Sequence, residues 1–256
     1  MFRTLLLILD NSKAEIMQYA NQDELTQLKS RRYGLTQMQQ ALLAMGDKQD
    51  FSVILLDLDW FKNINDNYGH DVGDQVLSEV AQTLLKSLSE EVIVSRYGGE
   101  EFLIVLPDTT HEGAMTIAKQ LRKDIAQQVI KSDDNVDFYI TASLGVYTLT
   151  HEERARIQNE YKALALEENT QALAEPRKNR KQLDRRQGER RQERGSHSSN
   201  QAGAQQTHAQ KRISHRTKRA AKEIVQAQLP SDICQRLICT ADKALYEAKD
   251  RGRNQV

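Results

Sequence analysis

Four carboxylates stand where strands ought to stop. Asp57 and Asp59 close one apolar run, and Glu100 and Glu101 follow a pair of glycines. Carboxylates are poor strand residues, so packing does not explain them. In extended chain, Asp57 and Asp59 share one face and Leu58 takes the other. Hard oxygen donors with no adjoining His or Cys suit Mg²⁺ or Mn²⁺, which one or two carboxylates commonly hold together with substrate phosphates. Two such ions ~3.5–4 Å apart can stabilise the attacking and leaving oxygens of an in-line displacement. Taken singly, Asp59 and Glu101 are routine surface acids. The glycine pair likewise fits a solvated turn whose charges discourage edge pairing. Two acid pairs at two strand ends are what point to chemistry.

The elements that must position these acids follow from periodicity. Phe51 to Leu56 is an almost unbroken apolar run, a central strand covered on both faces. Val92–Val94 and Phe102–Leu106 flank Gly98-Gly99, which predicts a hairpin whose glycines supply the φ > 0 of a tight turn. Leu35, Met38, Leu42 and Leu43 mark a helix ending near Met45. Trp60 to His70 is a turn-rich segment, with Trp60 as packing and His70 as a turn hydrogen-bonder, and a helix begins at Asp71. Pro107-Asp108-Thr109-Thr110 breaks and caps a further helix whose apolar face is Ala114, Ile117, Ala118, Leu121 and Ile125. Residues 136–148 alternate strictly, as in a half-buried strand, and Ala241, Ala244, Leu245 and Ala248 lie on a last helix. Strands mixed with helices on this scale predict an α/β (α+β) sandwich with a single sheet.

Lys plus Arg and Asp plus Glu both number 36 among 256 residues, so net charge excludes no partner. The balance hides segregation. From Glu175 to Lys222 fifteen basic residues face four acidic ones. Arg177 to Arg219 is rich in Arg, Gln and Ser and poor in apolar residues, so it is expected to be disordered. Its arginines could meet phosphates of nucleic acid or anionic lipid, or simply be solvated. Excising about 80 residues there leaves about 175, one ordinary domain, so the segment near 150–230 is expected to be an insertion. Leu5, Leu9, Ser12, Ile16, Tyr19 and Asp23 follow one another in steps of four and three, a weak seam consistent with a leading helix over 1–22. No apolar run approaches the ~18–20 residues of a membrane span. Cys234 and Cys239 match no redox or zinc pattern, and the expectation is a cytoplasmic protein with reduced thiols.

Arg96-Tyr97-Gly98-Gly99-Glu100-Glu101-Phe102 resembles the motif that names the GGDEF family of diguanylate cyclases, in its GGEEF form. Asp57-Leu58-Asp59-Trp60-Phe61-Lys62-Asn63-Ile64-Asn65-Asp66, with Gly69-His70 and Gly73-Asp74, is similar to that family's DxDxFKxxND…GHxxGD block. Asp23 to Tyr33 resembles its leading motif, and Ala241 to Lys249 with Gly252-Arg253-Asn254 resembles its final helix.

The resemblance implies a nucleotidyl-cyclase or polymerase-palm-like central sheet flanked by helices, occupying 23–256. It also implies condensation of two GTP into cyclic di-GMP with release of two pyrophosphates, at the interface of a homodimer. Asp57, the Leu58 carbonyl and Glu100 would hold the metal, two Mg²⁺ or Mn²⁺ per site. Glu100 would be the general base, with Glu101 and Lys62 beside it. Asn65 and Asp74 would contact guanine, and Phe61, Lys62, Lys249 and Arg253 the triphosphate.

Two departures stand out. Gln27 and Ser30 occupy positions where the family commonly has Gly and Asn. Ser89-Glu90-Glu91-Val92 replaces the RxxD of the family's inhibitory product site, so no feedback is expected there. A catalytically inactive GTP-binding or protein-interaction module, and a nucleic-acid binder acting through the basic insertion, remain as alternatives. No sensor is recognisable before Asp23, which leaves the input to an upstream sensor or a membrane-associated partner.

Overall fold

A computed structural model describes residues 21–131, 137–174 and 229–256, side chains at 131 and 165–174 excepted. The expected leading helix and the arginine-rich stretch lie outside these residues. The chain divides into one compact unit of residues 1–155 and 230–256 and another of 156–229.

In the first unit the order is β1 (Lys29–Ser30), α1 (Arg31–Ala44), β2 (Phe51–Leu58), α2 (Phe61–Tyr68), α3 (His70–Ser87), β3 (Ile93–Arg96), β4 (Glu101–Pro107), α4 (His111–Gln127), β5 (Ile130–Lys131), β6 (Asp137–Phe138) and β7 (Ala142–Leu149). Helix α5 (His151–Ala174) begins there and runs into the second unit. Helix α6 occupies 229–250. Strands β1-β3-β4-β2-β7 form a mixed five-stranded sheet, and β5 pairs with β6. This is the expected palm-like sheet flanked by helices.

All eight residues of β2 are buried, because helices cover both faces. Register shows which helix covers which face. Ser95, Leu103, Leu55 and Gly145 form one cross-strand row. A Cβ on Gly34 of α1 would strike Ser95, and one on Gly145 would strike the backbone at Ala241 and Leu245 of α6. Helices α1 and α6 therefore share that face. Ile54, Ile104, Val94 and Val146 point the other way, into a core with Val76 and Val80 of α3 and Ala118 and Leu121 of α4.

Four expectations need correction. The supposed turn-rich segment after Trp60 is helix α2, because Phe61 and Ile64, three apart, bury one face together. The single strand over 136–148 is two: β6 pairs with β5, and β7 starts only at Ala142. Strand β7 is moreover buried on both faces at all but one position. Its small residues looked outward-facing in sequence but lie beneath α6. Finally, Leu43 is exposed and α1 buries Gly34, Met38 and Leu42 instead.

The leading motif explains its own departures. Gln27 adopts a left-handed backbone (φ 59°), where a glycine would fit and a side chain costs about 1–2 kcal/mol. Ser30 caps α1 by accepting from the Tyr33 N–H, as Asn would.

Gly145→Val is expected to lower unfolding free energy by about 1–3 kcal/mol, because backbone of α6 cannot yield to the added atoms. Urea denaturation checks this, and an unchanged midpoint would contradict the packing described.

Candidate active site

The antiparallel β2–β4 ladder sets Asp57 directly opposite Glu101. One residue on, the Leu58 N–H donates to the Glu100 carbonyl (3.3 Å), so the Leu58 main chain and Glu100 meet at the sheet edge. Tyr97 and Gly98 N–H groups both donate to the Glu101 carbonyl, at 2.7 and 3.2 Å, closing the hairpin. Neither Gly98 nor Gly99 has φ > 0, contrary to the expected tight turn. Gly98 is needed for space instead: a Cβ there would run into the Glu101 carboxylate. Arg96 steadies the tip by donating to the Gly99 carbonyl and by pairing with Asp23 at 3.1 Å.

Asp57 and Asp59, alike in sequence, differ in environment. Asp59 is buried, not a surface acid. It accepts from Thr141 Oγ1 (2.7 Å), Ser143 Oγ (2.7 Å) and the Asn254 N–H (2.9 Å). Those donors satisfy its charge and tie β2, β7 and the C-terminal segment together. Sequence reasoning missed Thr141, Ser143 and Asn254, since only the folded sheet brings them to Asp59.

Asp57 is also buried. Lys249 Nζ lies 2.8 Å from Asp57 Oδ1, a charge-assisted contact that meets the buried carboxylate. Burial pushes the Asp57 carboxyl above the usual range, Asp59 adds to this, and Lys249 and Arg253 oppose it. Glu100 and Glu101 are raised too, first by burial and then by the charge of Asp57. Three acids thus crowd one edge. A cavity of about 420 Å³ opens beside them, lined by Asp57, Glu101, Asp242, Tyr246 and Lys249.

The remaining residues expected at the site fall around this edge. Phe61 anchors the start of α2 in the core, and Lys62 beside it is exposed. Asn65 lies against Gly73 where α2 meets α3, next to Asp74. Arg253 stands over the Trp60 ring, 4.0 Å from its centroid. Trp60 is 59% exposed, not packed. His70 is an exposed first residue of α3 with no side-chain hydrogen bond among the described residues. Among the described residues the side chains of Lys62, Asn65, Asp74, Glu100 and Glu101 enter no hydrogen bond or ion pair.

Buried Asp57 beside Glu100 and Glu101, carboxylates whose charges repel one another, is a hard-oxygen donor set that fits a divalent cation. Among the described residues no three His, Cys, Asp or Glu converge as a metal cage. A smaller donor set is usual for Mg²⁺, which keeps waters and takes substrate phosphate oxygens.

The structure is thus a mixed palm-like sheet flanked by helices, with acids gathered at one edge and polar side chains around them. A family model described as "Diguanylate cyclase, GGDEF domain" matches residues 20–182, and the chain belongs to this family. It is 34% identical over 139 residues to Diguanylate cyclase A of Treponema denticola, covering 53% of this chain and 37% of that protein. It is 39% identical over 140 residues to a diguanylate cyclase of Vibrio cholerae, covering 54% and 43%. A crystal structure of the coiled coil and GGDEF domain of DgcB from Caulobacter crescentus, in complex with c-di-GMP, superposes with a TM-score of 0.56 at 26% identity, over 59% of this chain and 81% of that one. The chain spans well under half the length of either named relative. Among the described residues no helix is long and apolar enough to cross a membrane.

The raised carboxyls carry a signed consequence. A native carboxyl with an elevated pKa holds its proton more tightly than in the unfolded chain, so stability falls as pH rises from the unfolded value through the native one. Glu100→Gln is expected to lessen that fall in chelator. Urea melts between acidic and neutral pH test this, and a variant less stable than wild type at neutral pH would contradict the repulsion.

Proposed function

We propose that this chain condenses two GTP into cyclic di-GMP and two pyrophosphates, working as a homodimer in which each subunit brings one GTP. The observation that carries the reading is the set of uncommitted polar side chains, Lys62, Asn65, Asp74, Glu100 and Glu101, disposed around buried Asp57.

Asp57, the Leu58 carbonyl and Glu100 are the groups that would hold Mg²⁺ or Mn²⁺. When bound, such ions supply charge stabilisation for the attacking and leaving oxygens. Glu100, its basicity raised by burial and by Asp57, accepts the proton of the 3′-hydroxyl. That oxygen forms a bond to the α-phosphorus of the facing GTP, and the bond to pyrophosphate breaks. The same exchange in the opposite sense closes the ring.

Glu101, held opposite Asp57, supports the negative edge. Lys62 at the start of α2, the Phe61 backbone, and Lys249 and Arg253 from the C-terminal segment receive the triphosphate. Asn65 and Asp74 read guanine: a carboxylate can accept from both N1–H and the N2 amine, a pair adenine lacks. Such paired contacts discriminate by ~1–3 kcal/mol each.

The same reading takes 1–22 as a leading helix and 150–230 as an insertion in one domain, supported by a first unit assembled from residues on both sides of it.

Incubating the purified protein with GTP and Mg²⁺ and identifying the product by mass tests the activity. Asp57→Ala and Glu100→Ala are each expected to lower turnover by about 10³, roughly 4 kcal/mol of barrier. Near-normal turnover in either variant would remove the metal assignment. Binding of GTP without turnover by wild type would leave a non-catalytic module.

A further inference from the structure

Trp60 stands between the second acid of the DxD block and Phe61, and neither the acid cluster nor the guanine contacts call on it. Its indole is largely exposed, an unfavourable place for the most hydrophobic of large rings. What occupies its face is a cation: the Arg253 guanidinium carbon lies 4.0 Å from the ring centroid. Trp is the strongest of the cation–π partners.

The backbone on both sides is bent to make this stack. Trp60 has φ 59° and Arg253 φ 65°, left-handed conformations that residues with side chains adopt at a cost. Asp59 joins the two bends, since its carboxylate accepts the Asn254 N–H at 2.9 Å. Arg122 holds the same segment from α4, donating to the Asn254 side chain (2.9 Å) and carbonyl (3.1 Å). The guanidinium thus stands on a braced platform, close enough to the acids for its charge to be felt at Asp57.

We propose that Trp60 is a positioning residue, whose ring holds the Arg253 guanidinium in place to receive the polyphosphate of the substrate. This rests on the GTP reading, from which the phosphate contact of Arg253 is taken; the stack itself does not. A long arginine without the ring would have to be ordered at each binding event. Held over the indole, the guanidinium is pre-organised to donate to phosphate oxygens.

Trp60 is the sole tryptophan, so the contact reports on itself. Arg253→Ala is expected to alter the emission of the free protein. Inorganic tripolyphosphate is expected to change Trp60 emission saturably in wild type and not in Arg253→Ala. No saturable change in wild type would overturn the proposal. In steady state, Trp60→Leu is expected to raise the KM for GTP about 5- to 10-fold with little change in kcat, and Trp60→Phe to recover most of it. Turnover with an unchanged KM in Trp60→Leu would overturn the proposal while leaving the cyclase reading intact. A tripolyphosphate response in a protein that does not turn over GTP would support the proposal and remove the cyclase reading. Should Trp60→Leu fail to fold, the tripolyphosphate titration of wild type and Arg253→Ala decides alone.

Discussion

The rest of the structure depends on the pairing of β2 with β4. Seven consecutive residue pairs, from Phe51 with Pro107 to Asp57 with Glu101, run down the centre of the sheet. The apolar pairs make the ladder insensitive to local cost, and the ladder then forces the last pair, two carboxylates, into opposition. A slip by one residue would turn each of these side chains to the wrong face. Register held by hydrophobic burial is therefore what concentrates negative charge at one edge.

That concentration is unfavourable by itself, and the surrounding elements show how it is tolerated. Asp59 is quieted by hydroxyls from β7 and an amide from the C-terminal segment. Asp57 is met by Lys249 from α6. Helix α6 can come that close only because Gly145 presents no side chain to it. A residue chosen for packing on β7 thus governs where Lys249 and Arg253 stand, and a backbone contact far along the chain from the acids shapes their electrostatics. Glu100 and Glu101 have no such close partner among the described residues; only the more distant charge of Lys249, joined at Glu101 by Arg31, offsets their repulsion.

Much of this was legible in the chain. The apolar run before Asp57, the helical spacing of α3 and α4 and the acid pairs are local patterns, and locality is what periodicity reads. Legibility failed where burial depended on distant neighbours. Ser143 and Gly145 looked like the exposed half of an alternating strand, because small size marks both solvent-facing and tightly covered positions. Trp60 looked like packing because its hydrophobicity says nothing of a guanidinium on its face. Gly98-Gly99 looked like a demand for positive φ, whereas neither has it and Gly98 alone is needed, for room beside Glu101.

The amino-acid sequence by itself determined the kind and order of the longer elements, the central place of β2 and the residue types available for chemistry, since these follow from side-chain period and from motif spacing; the short α2 and the β5–β6 pair escaped it. Tertiary structure alone decided which of two like aspartates is spent on hydrogen bonds to β7 and the C-terminal segment and which faces the acids of β4. It also decided that α6 supplies the counter-charge. The physical reason is that a carboxylate's role is set by what lies within a few ångströms of it, and at Asp57 and Asp59 those neighbours are contributed by β7 and the C-terminal segment, far away along the chain.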